Sequence, residues 1–269
     1  MEIRNIAIIG AGTMGRLMTR WALEYGYNVF VCDRATSNLD ALKREFGAAS
    51  GVSSRFETLT DLDKIGDSAH LVMETIPDRI EAKRDLLERL DAICPRELVL
   101  ASCSATIPIT LLEETVEQRN RVVIANFWFD TPLVEVVRGT STDEQTVDSV
   151  MQYSRTLGKH PVLLSKDCPG HVCCRMFLGQ VYRALRILEA GVATAEDIDI
   201  CMTLGSAYSS GILRRCDRMG LDFVQQAFLI MYELTGEPRF KPNRVIEQKV
   251  EAGKLGEKTG EGFFTWPDR

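Results

Sequence analysis

The chain has little of what metal, membrane or nucleic-acid chemistry requires. Only three of its 269 residues are histidine, and none of its eight cysteines forms a Cys-x-x-Cys pair beside one, so no metal-ligand set can be read from it. Several of those cysteines fall within apolar segments, which predicts buried thiols kept reduced in the cytoplasm. There is no basic cluster and the net charge is −6, which argues against nucleic acid and anionic membranes as partners. No apolar run reaches membrane-spanning length, and residues 1–9 read as a first strand rather than a cleavable signal. Internal repeats and low-complexity segments are also missing.

What is present begins at residues 4–15, RNIAIIGAGTMG. An apolar strand runs into Gly10, Ala11, Gly12, Thr13, Met14 and Gly15, and a helix-forming segment follows at 16–25. Such a turn suits a dinucleotide pyrophosphate. Gly10 allows the tight turn, Gly12 lets the backbone approach phosphate, and Gly15 lets helix pack on strand, while the N–H groups of the helix start face the anion. A glycine turn alone is a weak signal. Here a second apolar strand, 28–32, ends in Asp33, where this motif needs a carboxylate for the adenosine ribose hydroxyls. A carboxylate there repels a 2′-phosphate, so NAD is the expected cofactor. Arg34, next along, is placed either to stack on adenine or to attract such a phosphate.

Further apolar strands are read at 70–74, 98–101, 121–126, 134–137 and 161–164, with helices between them at 38–46 and 79–91. On the latter, Ile80, Leu86, Leu87 and Leu90 share one face. The alternation predicts an α/β fold: a Rossmann-type doubly wound, mainly parallel sheet. After Asp167-Cys168-Pro169-Gly170 strand signals vanish, and a helical pattern starts with Val172, Met176, Val181, Leu185 and Leu188. The expected domains are therefore an NAD-binding domain over 1–166 and an all-α C-terminal domain over 167–269.

The motif order resembles the L-3-hydroxyacyl-CoA dehydrogenase family along nearly the full length. The matching pieces are GAGTMG, METIPDRIEAK (73–83), ASCSATIPIT (101–110), PLVEVVRG (132–139), GKHPVLLSKDCPG (158–170), EDIDICMTLG (196–205), DRMGLD (217–222) and KLGEKTGEGFFTW (254–266). The resemblance implies NAD as cofactor, a helical domain that usually dimerises, and an active site between the domains. It further implies that Lys83 is a cofactor-binding lysine and that Asp78 replaces a glutamate near the nicotinamide ribose. Glu135 matches the glutamate that orients the family's catalytic histidine.

Other positions depart from the family pattern. The histidine position is Asn126, a serine position is Ala105, and a substrate-assisting asparagine position is Cys174. The segment Asn126-Phe127-Trp128-Phe129-Asp130-Thr131 is about three residues shorter than the family's, and its Asn-Pro turn is gone. Oxidising an alcohol by hydride transfer needs a base near neutral pKa, and none of these three replacements supplies one unaided. His171, three residues before Cys174, is a candidate relocated base if both lie on one helical face, against the plainer reading of a partly exposed histidine near a helix start. His70 and His160 read as structural, and a desolvated Glu135 is a second candidate base.

Between Asp33 and Glu74 roughly twenty residues of a lysine-rich arm that holds CoA in the family are missing. That loss fits a thioester on an acyl carrier protein, or a small free hydroxy acid. The expected activity is hydride transfer between NAD and a 3-hydroxyacyl thioester or related short hydroxy acid, by a cytoplasmic homodimer. The alternatives are a catalytically impaired NAD-binding scaffold or sensor, and a changed chemistry such as reduction of an aldehyde thioester.

Overall fold

The structure, a computed structural model, describes residues 3–47, 53–66, 69–129 and 131–267. It divides into two compact units, Met1–Cys168 and Pro169–Arg269.

The first unit holds one eight-stranded sheet. Its strands are β1 (Asn5–Ile9), β2 (Asn28–Cys32), β3 (Phe56–Leu59), β4 (Leu71–Glu74), β5 (Val99–Ser102), β6 (Val122–Phe127), β7 (Leu133–Arg138) and β8 (His160–Leu163). Their order is β3-β2-β1-β4-β5-β6-β7-β8. Every residue of β4, β5 and β6 is buried, as expected for interior strands covered on both faces by helices. The helices are α1 (Thr13–Glu24), α2 (Thr36–Phe46), α3 (Ile80–Ile93), the short α4 (Ile109–Leu112) and α5 (Glu144–Thr156). Met18, Trp21 and Ala22 turn the apolar side of α1 onto β1 and β2, joining Ile6, Ile8, Val29 and Val31 in one core.

Chain order reverses between β1 and β4, leaving a crevice at the carboxyl ends of those strands, where ligands of open α/β sheets bind. The sheet is parallel except for the pair β6 and β7, which run antiparallel. The link at 128–132 is too short for the crossover that parallel strands require. Asp130, within that link, lies outside the described residues, as do 48–52 and 67–68 of the shortened stretch between Asp33 and Glu74.

Three expectations need correction. β3 was not anticipated, because Phe56-Glu57-Thr58-Leu59 is short, half polar and an edge strand that only Leu59 buries fully. α1 begins at Thr13, directly on the glycine turn, rather than at residue 16. Only Cys32, Cys94, Cys174 and Cys216 are buried, while Cys103, Cys168 and Cys173 are partly accessible and Cys201 is exposed.

The second unit is helical: α6 (Cys173–Glu189), α7 (Ala195–Ile200) continuing into a π-helical turn (Cys201–Gly205), α8 (Ile212–Met219), α9 (Leu221–Thr235) and α10 (Arg244–Glu251). Phe177, Leu178, Val181, Ala184 and Leu185 form the buried stripe of α6. Two buried carboxylates tie the unit together. Asp199 accepts the N–H groups of Leu213 (2.9 Å) and Arg214 (2.8 Å), closing the start of α8. Asp217 accepts the N–H groups of Phe263 (2.8 Å) and Phe264 (2.9 Å) and the indole N–H of Trp266 (2.9 Å), fastening the C-terminal segment to α8.

Candidate functional site

The glycine turn lies between the end of β1 and the start of α1, at the crevice. Gly10 has φ +105°, and a β-carbon on it would stand 2.9 Å from Thr75 Oγ1. A β-carbon on Gly15 would collide with the Gly10 carbonyl, so both glycines are required by packing. Gly12 is different: a β-carbon there would meet no atom within 4 Å. Nothing in the protein demands glycine at that position, and the open space fits a backbone approached by a ligand phosphate. No side chain caps α1 and its first turn carries no acidic residue, so Thr13 and Met14 stand at a helix start suited to an anion.

Asp33, at the end of β2, is half-buried. Its Oδ2 accepts the Ala11 N–H at 2.6 Å and its Oδ1 accepts the Ala35 N–H at 2.7 Å. One carboxylate thus stiffens the glycine turn and keeps further lone pairs for ribose hydroxyls. These features fit NAD, with Gly10, Gly12, Thr13, Met14 and Gly15 at the pyrophosphate and Asp33 at the adenosine ribose.

At the carboxyl ends of β4 and β5 lies a buried charge network. Lys83 and Glu74 are both fully buried, with Lys83 Nζ 2.7 Å from each Glu74 oxygen, 2.9 Å from the Ile76 carbonyl and 3.4 Å from Asp78 Oδ1. Ser102 Oγ (2.5 Å) and the Ile76 N–H (2.7 Å) also donate to Glu74. Asp78 Oδ2 accepts the N–H groups of Ala105 (3.1 Å) and Thr106 (3.0 Å) and the Thr106 hydroxyl (2.7 Å). Burial works to lower the Lys83 pKa, but the Glu74 and Asp78 carboxylates outweigh it and hold the ammonium above its ordinary value.

The three N–H donors of Lys83 meet Glu74 and Ile76 in this structure. Asp78 likewise clamps the turn at 105–106. Both hold the loops around the crevice in place. Glu74 was missed altogether, although an acidic residue ending an otherwise apolar strand was a readable signal. Cys103 supplies no thiolate here, since burial pushes its thiol up to about 12.

Asn126 and Glu135 face each other across the β6–β7 hairpin as register partners. Asn126 Nδ2 donates to Glu135 Oε2 at 2.9 Å, with the two residues 2% and 1% exposed. A carboxylate only accepts, so it fixes the amide with its nitrogen inward. The Asn126 side chain makes no other hydrogen bond among the described residues, which leaves its carbonyl Oδ1 and second N–H uncommitted.

His171 and Cys174 belong to the helical unit, and the helical-face argument linking them fails. α6 starts at Cys173, while His171 precedes it with φ +46° and is 1% exposed rather than partly exposed. Cys174 is fully buried.

A glycine turn at the switch point of a doubly wound sheet, an acidic residue closing β2, and a helical second unit define a two-domain nicotinamide-dinucleotide oxidoreductase. The chain belongs to the 3-hydroxyacyl-CoA dehydrogenase family, whose cofactor is NAD and whose chemistry is hydride transfer with hydroxyacyl thioesters. Residues 5–168 match the family's NAD-binding domain and residues 170–266 its C-terminal domain. A probable 3-hydroxybutyryl-CoA dehydrogenase of Bacillus subtilis is 32% identical over 286 residues, covering 100% of this chain and 99% of the relative. The mitochondrial hydroxyacyl-coenzyme A dehydrogenase of Sus scrofa is 30% identical, covering 98% and 91%. Among solved structures, M. tuberculosis FadB2 superposes with a TM-score of 0.88 at 29% identity, covering 99% of this chain and 100% of that one. An NAD+-dependent dismutase, 5-formyl-3-hydroxy-2-methylpyridine 4-carboxylic acid 5-dehydrogenase, does so with a TM-score of 0.75 at 28% identity, covering 99% and 92%.

Proposed function

We propose that this chain transfers hydride between NAD and a 3-hydroxyacyl thioester, carried on CoA or on an acyl carrier protein, or a related short hydroxy acid, with Asn126 orienting the substrate oxygen rather than titrating. The observation that carries this is the buried Asn126–Glu135 bond, which retains the place and partner of the family's acid/base histidine without its chemistry. NAD supplies the hydride acceptor when bound. Asn126 Oδ1 accepts a hydrogen bond from a hydroxyl and its second N–H donates to a carbonyl, so the residue holds either redox state of the oxygen. Neither atom takes up a proton at neutral pH, and the proton must leave through Glu135, His171 or water. Losing a positioned base costs about 10²–10⁴ in rate, so 3-hydroxybutyryl-CoA is turned over slowly.

Three variants test this. Asn126→His is expected to raise turnover of 3-hydroxybutyryl-CoA. Glu135→Gln or His171→Ala is expected to lower turnover, according to which group accepts the proton. Vigorous wild-type turnover that neither of these two variants changes overturns the proposal. The replacement of the histidine also supports a second reading, an NAD-binding scaffold or sensor. NAD binding with no turnover in wild type and none restored by Asn126→His selects it.

A homodimer through the helical unit is supported by its exposed apolar side chains: Val172 (53%), Met176 (61%), Val192 (74%) and Leu204 (82%). Sedimentation decides this, and a strictly monomeric species at micromolar concentration rejects it. A cytoplasmic location is supported by eight cysteines, none of which forms a disulfide among the described residues. Among the described residues no helix is long and apolar enough to cross a membrane.

A further inference from the structure

The helical unit contains a cleft of about 400 Å³ between α7, the π-helical turn, α8 and the C-terminal segment. That volume is in the range of small-molecule sites. Two guanidinium groups line it one helical turn apart on α8, Arg214 and Arg218. Neither has a carboxylate within salt-bridge distance among the described residues, in a chain whose other arginines are often paired. Arg214 lies over the Phe264 ring at 4.2 Å and the Trp266 ring at 5.3 Å, and Arg218 over Trp266 at 5.8 Å. Asp217 pins those aromatic residues through three hydrogen bonds, so the surface on which the guanidinium groups rest is itself held.

Two further features mark the cleft as a ligand site. Ser210 Oγ is buried against it with no hydrogen-bond partner among the described residues. A buried hydroxyl without a partner is uncommon and gains one when a polar ligand arrives. Asp199, although it also lines the cleft, has both carboxylate oxygens occupied by the N–H groups of Leu213 and Arg214, and Glu196 is exposed at the rim. Ile200 and Phe264 contribute apolar wall.

We propose that this cleft binds a short-chain organic acid, its carboxylate held by Arg214 and Arg218, Ser210 donating to it, and its alkyl body lying on Ile200 and Phe264. The planar fork of arginine matches a carboxylate in two-point contact, and stacking on Phe264 and Trp266 reduces the freedom lost on binding. All of these residues belong to the helical unit, so the inference stands or falls independently of hydride transfer.

Calorimetry of the intact chain with sodium hexanoate, acetate and inorganic phosphate tests it. Saturable binding of one hexanoate per chain is expected, tighter than acetate or phosphate, and weakened by raised ionic strength. Arg214→Gln is expected to weaken it by about tenfold or more, Arg218→Gln and Ser210→Ala by less, with the melting temperature unchanged in each as the check on folding. If Arg214→Gln also lowers the melting temperature, the exposed Arg218→Gln and Ser210→Ala carry the test. No saturable heat with hexanoate, equal hexanoate affinity in the arginine variants, or phosphate binding as tightly as hexanoate overturns the proposal.

Discussion

Replacing Lys83 by methionine keeps the aliphatic stem and removes the ammonium. Glu74 is then left fully buried with only the Ser102 hydroxyl and the Ile76 N–H as donors, and Asp78 loses its cation. Removing one partner of a buried pair costs about 3–5 kcal/mol, because the remaining charge is uncompensated. For a unit spanning Met1–Cys168, each kcal/mol lowers the melting temperature by about 2–4 °C, so the fall is roughly 6–20 °C. The Lys83 pKa is raised in the folded state, so its stabilising contribution is complete below the ordinary lysine value of about 10.4. It is lost only as pH rises through the higher folded value. The wild-type contribution of Lys83 is therefore constant across neutral pH and is lost only in strong alkali. Guanidinium unfolding at several pH values measures it. Glu74→Gln combined with Lys83→Met is expected to be less destabilised than the sum of the single variants, since it removes the stranded charge. A loss below about 1 kcal/mol in Lys83→Met, or strict additivity in the pair, refutes the reasoning.

Asp33→Ala is expected to weaken NAD binding by about 1–3 kcal/mol in calorimetry, through the lost ribose acceptor and the loosened Ala11 turn, and to erase a preference for NAD over NADP. Asp217→Ala strands three donors at the C-terminal segment and is expected to destabilise the helical unit by about 2–4 kcal/mol, with earlier proteolysis after residue 255, while NAD affinity is unchanged.

The sequence revealed most where structure follows from local pattern. Interior strands such as Val122–Phe127 announce themselves because burial on both faces demands unbroken apolar runs, and the glycine turn is legible because its geometry tolerates few residues. The edge strand Phe56–Leu59 lacks that demand and was invisible. Contacts distant in sequence were harder to read. Glu74 at the end of β4 and Lys83 on α3 form a pair, and Asp78 between them reaches the turn at 105–106, but no periodicity announces a buried ion pair. The family resemblance offered Lys83 and Asp78 as cofactor contacts, and the packing adds a bracing role that no local pattern announces. His171 was misjudged because a helix was extended backward through a residue whose positive φ ends it.

The Asn126–Glu135 pair owes its alignment to the backbone ladder of an antiparallel hairpin, in which residue 126 sits opposite residue 135 whatever side chain it carries. Strand register thus works as a socket: the main chain sets the aim, and the occupant can be exchanged without rebuilding the sheet. Asparagine and histidine codons differ by one base. On the proposed role of Asn126, a lineage built on this hairpin stands a single nucleotide from switching between titrating and non-titrating forms of that site, with the fold, the cofactor turn and the glutamate already in place for either.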